Sequence, residues 1–141
     1  MPTQATLTIQ TDGPGLVEVT ASVSEVVERL VPTDVALCTL FLRHTSASLL
    51  IQENADPDVR RDLEHWLTQL VPHADTPAMG WISHRMEGPD DMPAHIKAAH
   101  LPVSLSIPVA QGRLCLGTWQ GIYLWEHRDR PHRRDIVVHI A

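Results

Sequence analysis

The sequence predicts a single α+β domain over residues 1–141, with mostly antiparallel sheets and about three helices. Three observations carry that prediction. A chain of 141 residues with 43% hydrophobic content can build one core and is too apolar to stay disordered. Helical and strand periodicities occur in mixed order along it. From residue 103 onward it breaks into adjacent short strand-like runs punctuated by Gly and Pro, as antiparallel strands are.

Taken in order, Thr3–Gln10 alternates, with Ala5, Leu7 and Ile9 on one face, and predicts a first strand closed by the turn from Thr11 to Gly15. Val19, Val23, Val26, Val27 and Leu30 recur at helical spacing; Ser22 and Glu25 are spaced as a capping box, and Pro32 ends the helix. Two strands follow, Val35–Arg43 and Ser46–Glu53. Asp56 then caps a helix with Pro57 at its first position and Val59, Leu63, Trp66, Leu67 and Leu70 on its apolar face. Residues 73–79 read as a surface loop. A short helix is predicted from Met92 to His100, with Asp91 as its cap and Leu101-Pro102 as its stop. The remaining strands are Val103–Pro108, Arg113–Leu116, Gly121–Trp125 and Asp135–Ile140.

Lys+Arg 11 against Asp+Glu 17 gives a net charge of −6. Such a chain lacks the positive field that nucleic acids or anionic membranes attract. The start MPTQATLTIQ has no basic and apolar leader pattern, and no run reaches the length of a membrane helix, so a cytoplasmic protein is expected. Cys38 and Cys115 lie in apolar strand-like runs and are expected as buried, reduced thiols. The unusual number is nine histidines beside one Tyr and one Phe. Charging all nine would move the net charge from −6 to +3, since 9 − 6 = 3.

The densest set of potential ligands runs from His84 to His95. Two imidazoles flank the pair Asp90-Asp91, and the Gly88-Pro89 turn folds His84 back toward the helix that carries Asp91 and His95. Histidine with carboxylate suits zinc, whereas the carboxylates alone suit magnesium. The alternative is that Asp91 caps the helix and the histidines are solvated. His44-Thr45-Ser46-Ala47-Ser48 is either a polar turn or a His and hydroxyl cluster at the mouth of a pocket. Glu53 and Asn54 stand before the Asp56 cap and could face a site. Trp119, between Gly117 and Gly121, is either a packing residue or a ring that stacks on a substrate. Arg128, Arg130, Arg133 and Arg134 form a basic cluster matched to phosphate, or a solvated loop.

Four motifs occur in one order: HTSASL at 44–49, ENADPDVRRDL at 53–63, EGPDDMPAHIK at 87–97 and LGTWQGIYLWEHR at 116–128. Together they resemble the YjbQ family, whose members are often named secondary thiamine-phosphate synthase. The resemblance implies a β-sandwich-like α+β subunit, assembly as a homotrimer, and a divalent metal bound by the family's histidines. Carried over by motif, it implies catalytic parts for His44, Glu53, Asn54, Asp91 and Glu126. Ser46, Trp119, Gln120 and Arg134 would bind substrate, and His44, His84, His95 and Asp90 would hold metal. The substrate would be a small phosphorylated molecule. Thiamine-phosphate synthesis joins hydroxymethylpyrimidine diphosphate to thiazole phosphate and releases diphosphate; Mg²⁺ on Asp90 and Asp91 would neutralise the leaving group. Two rivals remain open: a zinc-type hydrolase, with Glu53 or Glu126 as base, and a non-enzymatic trimer that binds a small anion.

Overall fold

The computed structural model describes residues 2–30 and 34–141. Its elements in order are β1 (Thr3–Gln10), β2 (Gly15–Glu18), α1 (Thr20–Leu30), β3 (Val35–Leu42), β4 (Ala47–Glu53), α2 (Pro57–Leu70), a 3₁₀ turn at Pro77–Met79, α3 (Asp91–His100), β5 (Ser104–Ala110), β6 (Arg113–Leu114), β7 (Gln120–Glu126) and β8 (Arg133–Ile140). The fold is α+β, with three α-helices among the described residues and every strand pair antiparallel. Five strands form one sheet in the order β1-β8-β3-β5-β6, and three form another in the order β2-β7-β4.

The two sheets share one core. Cys38, Leu40 and Leu42 of β3, Ile136, Val138 and Ile140 of β8, and Ile107 and Val109 of β5 meet Leu49, Ile122 and Leu124 of the smaller sheet. Val23, Val26 and Val27 bring one face of α1 into the same cluster. α2 covers the other face of the smaller sheet, where Leu67 packs with Leu16, Tyr123 and Trp125. β7 is therefore buried on both sides, which explains why Gly121–Trp125 reads as a continuous apolar run without alternation. A third cluster, Val71, Ala74, Met79 and Ile82 with Met92 and Ile96, seats the loop before α3 against that helix.

The structure departs from the sequence expectations at several places. β2 is a four-residue strand inside what reads as turn and helix entry, and Gly15 enters it at a φ of 134°. α1 begins at Thr20, ahead of the Ser22 and Glu25 pair; Thr20 Oγ1 accepts from the Ile122 amide at 2.8 Å and donates to Glu18 Oε2 at 2.8 Å. The expected stop at Pro32 lies outside the described residues. In α2 the Asp56 cap accepts from the Asp58 amide at 2.9 Å, but Trp66 and Leu70 are about half exposed because the helix turns Leu67 to the sheet. α3 starts at Asp91 with Asp90 at the cap position, and no side chain caps it. β6 stops at Leu114, so Cys115 is exposed; Cys38 is buried, and burial pushes its thiol up to about 11. No helix is long and apolar enough to cross a membrane among the described residues.

Candidate metal centre

The segment before α3 is tied down by one arginine. Arg85 donates to the carbonyls of Ile82 (2.9 Å), Ala74 (3.0 Å) and Met79 (3.1 Å), closing the loop over the small apolar cluster. The chain then reverses at Gly88, whose φ of 104° disfavours any side chain, and the Pro89 carbonyl accepts from the Ala74 amide at 2.9 Å. This reversal returns His84 to the first turn of α3, where Asp91 and His95 share a face at i, i+4 spacing.

Four side chains converge there. His84 Nε2 lies 2.8 Å from Asp91 Oδ2 and 3.2 Å from Glu87 Oε2, and His95 Nε2 lies 3.2 Å from the same Asp91 oxygen. One ligand atom from each of His84, Glu87, Asp91 and His95 falls within 4.8 Å of every other. Ligands of a tetrahedral zinc stand about 3.4 Å apart, so small side-chain movements suffice to surround an ion. Asp91 is buried, while the two histidines and Glu87 open to solvent. Hydrogen bonding to Asp91 raises the His84 pKa above its ordinary value. Burial works to raise the Asp91 carboxyl, but its hydrogen bond with His84 heads the effects that outweigh burial and hold it low.

The state of His95 decides what this arrangement is suited to. Its Nδ1 lies 3.0 Å from the Thr45 carbonyl, which can only accept, so Nδ1 carries a hydrogen. Neutral His95 therefore presents the lone pair of Nε2 to a carboxylate oxygen. Two acceptors facing each other at 3.2 Å repel unless a proton or a cation lies between them.

Asp90, expected as a ligand, is engaged elsewhere. Its Oδ2 accepts from Arg128 Nε at 2.8 Å and from the Asp129 amide at 2.9 Å; these bonds outweigh the effect of burial and keep its carboxyl below its usual pKa. Arg128 Nη1 also reaches Asp91 Oδ1 at 2.9 Å, and Nη2 donates to the Glu87 carbonyl at 3.1 Å. The arginine thus spans both carboxylates and holds the helix start to the loop after β7.

The other motif residues lie apart from the four converging ligands. His44 Nε2 accepts from the Asp135 amide at 2.8 Å, so it is not a member of that cluster; burial and then Arg134 lower its pKa. Glu126 and Arg134 form a buried ion pair, with Arg134 Nε 2.8 Å from Oε1 and Nη2 on Oε2. Arg134 also donates to Ser46 Oγ at 3.0 Å, and Thr11 Oγ1 donates to Glu126 at 2.7 Å. Burial would raise the Glu126 carboxyl, but Arg134 and Thr11 hold it low. Glu53, Asn54, Trp119 and Gln120 gather at the far end of the smaller sheet, where Glu53 pairs with Gln120 and the Asn54 amide donates to the Trp119 carbonyl at 3.0 Å. The opposite end of that ladder, Ala47 with Glu126, is six residue steps or about 20 Å away. Trp119 is exposed rather than a packing residue.

Four participants carry too little signal to be found from sequence. Glu87 stands inside the EGPDD motif but reads as a turn residue, and Arg128 reads as one of several loop arginines. The Thr45 contribution is a backbone carbonyl and leaves no residue-type signal. His127 has no pattern that sets it apart, yet it is buried with Nε2 2.9 Å from Ser48 Oγ.

Comparison with known proteins agrees with this architecture. The model of the UPF0047 protein YjbQ-like family matches residues 5–141. A UPF0047 protein of Synechocystis is 49% identical over 138 residues, covering 98% of this chain and 90% of its own. The UPF0047 protein YjbQ of Salmonella typhimurium is 46% identical, with 96% and 94% covered. A crystal structure of a YjbQ/UPF0047 family protein from Clostridium acetobutylicum superposes with a TM-score of 0.83 at 33% identity, covering 97% of this chain and 99% of that one. A conserved hypothetical protein of Thermus thermophilus gives 0.79 at 33% identity, with 94% and 97% covered. With the family model matching nearly the whole chain and these relatives in agreement, the chain belongs to the YjbQ/UPF0047 family.

Proposed function

We propose that the protein is a metal-dependent hydrolase for a small anionic substrate, with a zinc-type ion held by His84, Asp91 and His95 and with Glu87 beside them. The observation that carries this reading is the setting of His95, whose Nδ1 is committed to the Thr45 carbonyl at 3.0 Å while Nε2 faces Asp91 Oδ2 at 3.2 Å. A bound zinc ion would supply Lewis acidity and a water acidified toward neutral pH. The chain's own groups divide the remaining work. The Thr45 carbonyl fixes the tautomer and ring of His95, and Arg128 orients Asp91 through Oδ1, leaving Oδ2 for the site. Glu87, exposed at the rim, can take a proton from a water held by the cluster. A cleft of about 480 Å³, lined by Met86, Glu87, Asp90, Arg128, Asp129 and Arg130, adjoins the cluster; Arg128 is tied to the two aspartates, and Arg130 is the arginine left to meet an anionic group.

The thiamine-phosphate synthase reading is less well supported. It places Mg²⁺ on Asp90 and Asp91, and Arg128 already bridges those two carboxylates. A donor set with two imidazoles also suits zinc better than magnesium. Homotrimer assembly remains part of the proposal, supported by the exposed Leu37 and Phe41 on the outer face of β3.

The test is zinc titration of chelator-stripped protein by calorimetry, followed by assays on chromogenic phosphate and carboxylate esters. One zinc per chain is expected, with His84→Ala and His95→Ala each weakening it more than tenfold. At a free concentration one hundred times Kd the ion should stabilise the wild type by about 2.7 kcal/mol. Wild-type protein that takes up no zinc overturns the reading. Mg²⁺-dependent thiamine-phosphate formation by zinc-free protein replaces it with the synthase.

A further inference from the structure

His44 stands outside the four converging ligands, yet its bond falls where the chain leaves the larger sheet. The β3–β8 ladder runs to Leu42 opposite Ile136, so Arg43 opposite Asp135 would be the next pair. Half of that pair is formed, since the Arg43 amide donates to the Asp135 carbonyl at 3.1 Å. In an antiparallel hydrogen-bonded pair the Arg43 carbonyl would accept from the Asp135 amide in return. Here the Asp135 amide donates to His44 Nε2 at 2.8 Å instead. The imidazole replaces the backbone acceptor, so the amide stays paired while the chain turns out of the sheet. Because Nε2 accepts, the ring hydrogen of His44 lies on Nδ1.

Thr45 comes next, and it is exposed. Among the described residues its one hydrogen bond is the one its carbonyl accepts from His95 Nδ1 at 3.0 Å. Both neighbours of Thr45, by contrast, are anchored, and to the same dipeptide at the start of β8. His44 is bonded to Asp135. Ser46 is bonded to Arg134, whose Nη2 donates to the Ser46 carbonyl at 3.2 Å and to its Oγ at 3.0 Å. Arg134 is fixed in turn by its buried ion pair with Glu126. Peptide planes are rigid, so a carbonyl between two anchored residues has little freedom to turn. The start of β8 therefore sets where the Thr45 carbonyl points, and through it the ring of His95.

We propose that His44 is a positioning residue for the metal centre: by holding the Asp135 amide it seats the Thr45 carbonyl that orients His95. Its effect on zinc rests on the metal reading above; its effect on the His95 ring does not. Removing the tie takes away no ligand, but it frees one end of the segment that carries the Thr45 carbonyl. Groups that orient a metal ligand directly are worth about 10–100-fold in affinity. His44 acts one bond further out, so a smaller loss is expected. The first residue of the HTSASL motif thereby gains a part that the four converging ligands leave unfilled.

The experiment compares His44→Ala and His44→Gln with wild type, using two readouts on chelator-stripped protein. One is zinc calorimetry. The other is the nitrogen-edited NMR resonance of the His95 ring hydrogen, which survives exchange with water only while Nδ1 is hydrogen-bonded. Glutamine places its amide oxygen near the position of Nε2 and keeps an acceptor there, whereas alanine does not. His44→Ala should weaken zinc about threefold or more and lose the ring resonance, with circular dichroism showing the fold intact. His44→Gln should keep the resonance and bind zinc within about twofold of wild type. His44→Phe fills the space but cannot accept; it should behave as His44→Ala, and it takes that variant's place if His44→Ala does not fold. His44→Ala with both readouts as in wild type overturns the proposal. A zinc loss with the ring resonance kept, or His44→Gln as defective as His44→Ala, overturns it too, because neither effect runs through the Asp135 bond. Wild type that takes up no zinc overturns the metal reading alone, and the ring resonance then decides whether His44 positions His95.

Discussion

Two polar clusters flank the β7 terminus, and they differ in whether their hydrogen-bonding capacity is filled. At the buried one, Glu126 accepts from Thr11 Oγ1, from Arg134 through both Nε and Nη2, and from the amides of His127 and Arg128. No lone pair there faces another. At the open one, His95 Nε2 faces Asp91 Oδ2 at 3.2 Å, two acceptors whenever the imidazole is neutral, and both histidines reach solvent. The first arrangement is complete without a ligand and serves to join β7, β8 and the β1–β2 turn. The second is complete only with a proton or cation added. Charge and histidine content alone do not separate the two; the count of donors against acceptors does.

Breaking the filled cluster should have the largest effect. Arg134→Met leaves the Glu126 carboxylate buried without its cation, and a loss of about 3–5 kcal/mol is expected in urea unfolding. A loss below about 1 kcal/mol would mean that water reaches Glu126, and the contrast between the clusters would weaken. Asp90→Asn removes the charge that holds Arg128 but touches none of the four converging ligands. A stability loss of about 2 kcal/mol is expected with zinc affinity within threefold of wild type. If zinc binding collapses instead, Asp90 belongs to the site rather than to its support.

The smallest and most graded effect comes from His127. Its folded pKa of about 3 lies below the ordinary 6.5, so the unfolded chain binds the proton first as pH falls. Its stabilising contribution is present in full above pH 6.5 and declines through the window down to about 3. The slope approaches about 1.4 kcal/mol per pH unit in the middle of that window. Glu126, with its pKa held low, acts in the same direction but only at the acid end. Urea unfolding between pH 7 and 5 should show the His127 slope, and His127→Phe should flatten it; an identical slope in the variant assigns the loss to other groups.

Much of this is legible in the sequence, and the failures have physical causes. The alternation of Thr3–Gln10 and the Asp56-Pro57 helix start are local signals, and the structure shows both. β2 leaves no trace because four residues are too few for a period and Gly15 at positive φ resembles a turn. Trp66 is misplaced because helical spacing gives a face but not the rotation at which that face meets the sheet. Among site residues, the His84–His95 segment is contiguous and its Gly88-Pro89 reversal is readable. Arg128 arrives from a loop 38 positions after Asp90, and Thr45 contributes only backbone, so neither carries a local pattern.

The position of β8 bears on how the chain is made. It lies between β1 and β3, pairing with β1 from Thr3 with Ile140 to Gln10 with Arg133. During synthesis β1 emerges first and waits for a partner more than a hundred residues away, and β3 can find β5 but not its other neighbour. The smaller sheet and its covering helix can assemble earlier, since β2, β4 and β7 all precede residue 127. The larger sheet closes as a late, long-range event, and until then two strand edges stay open to wrong partners.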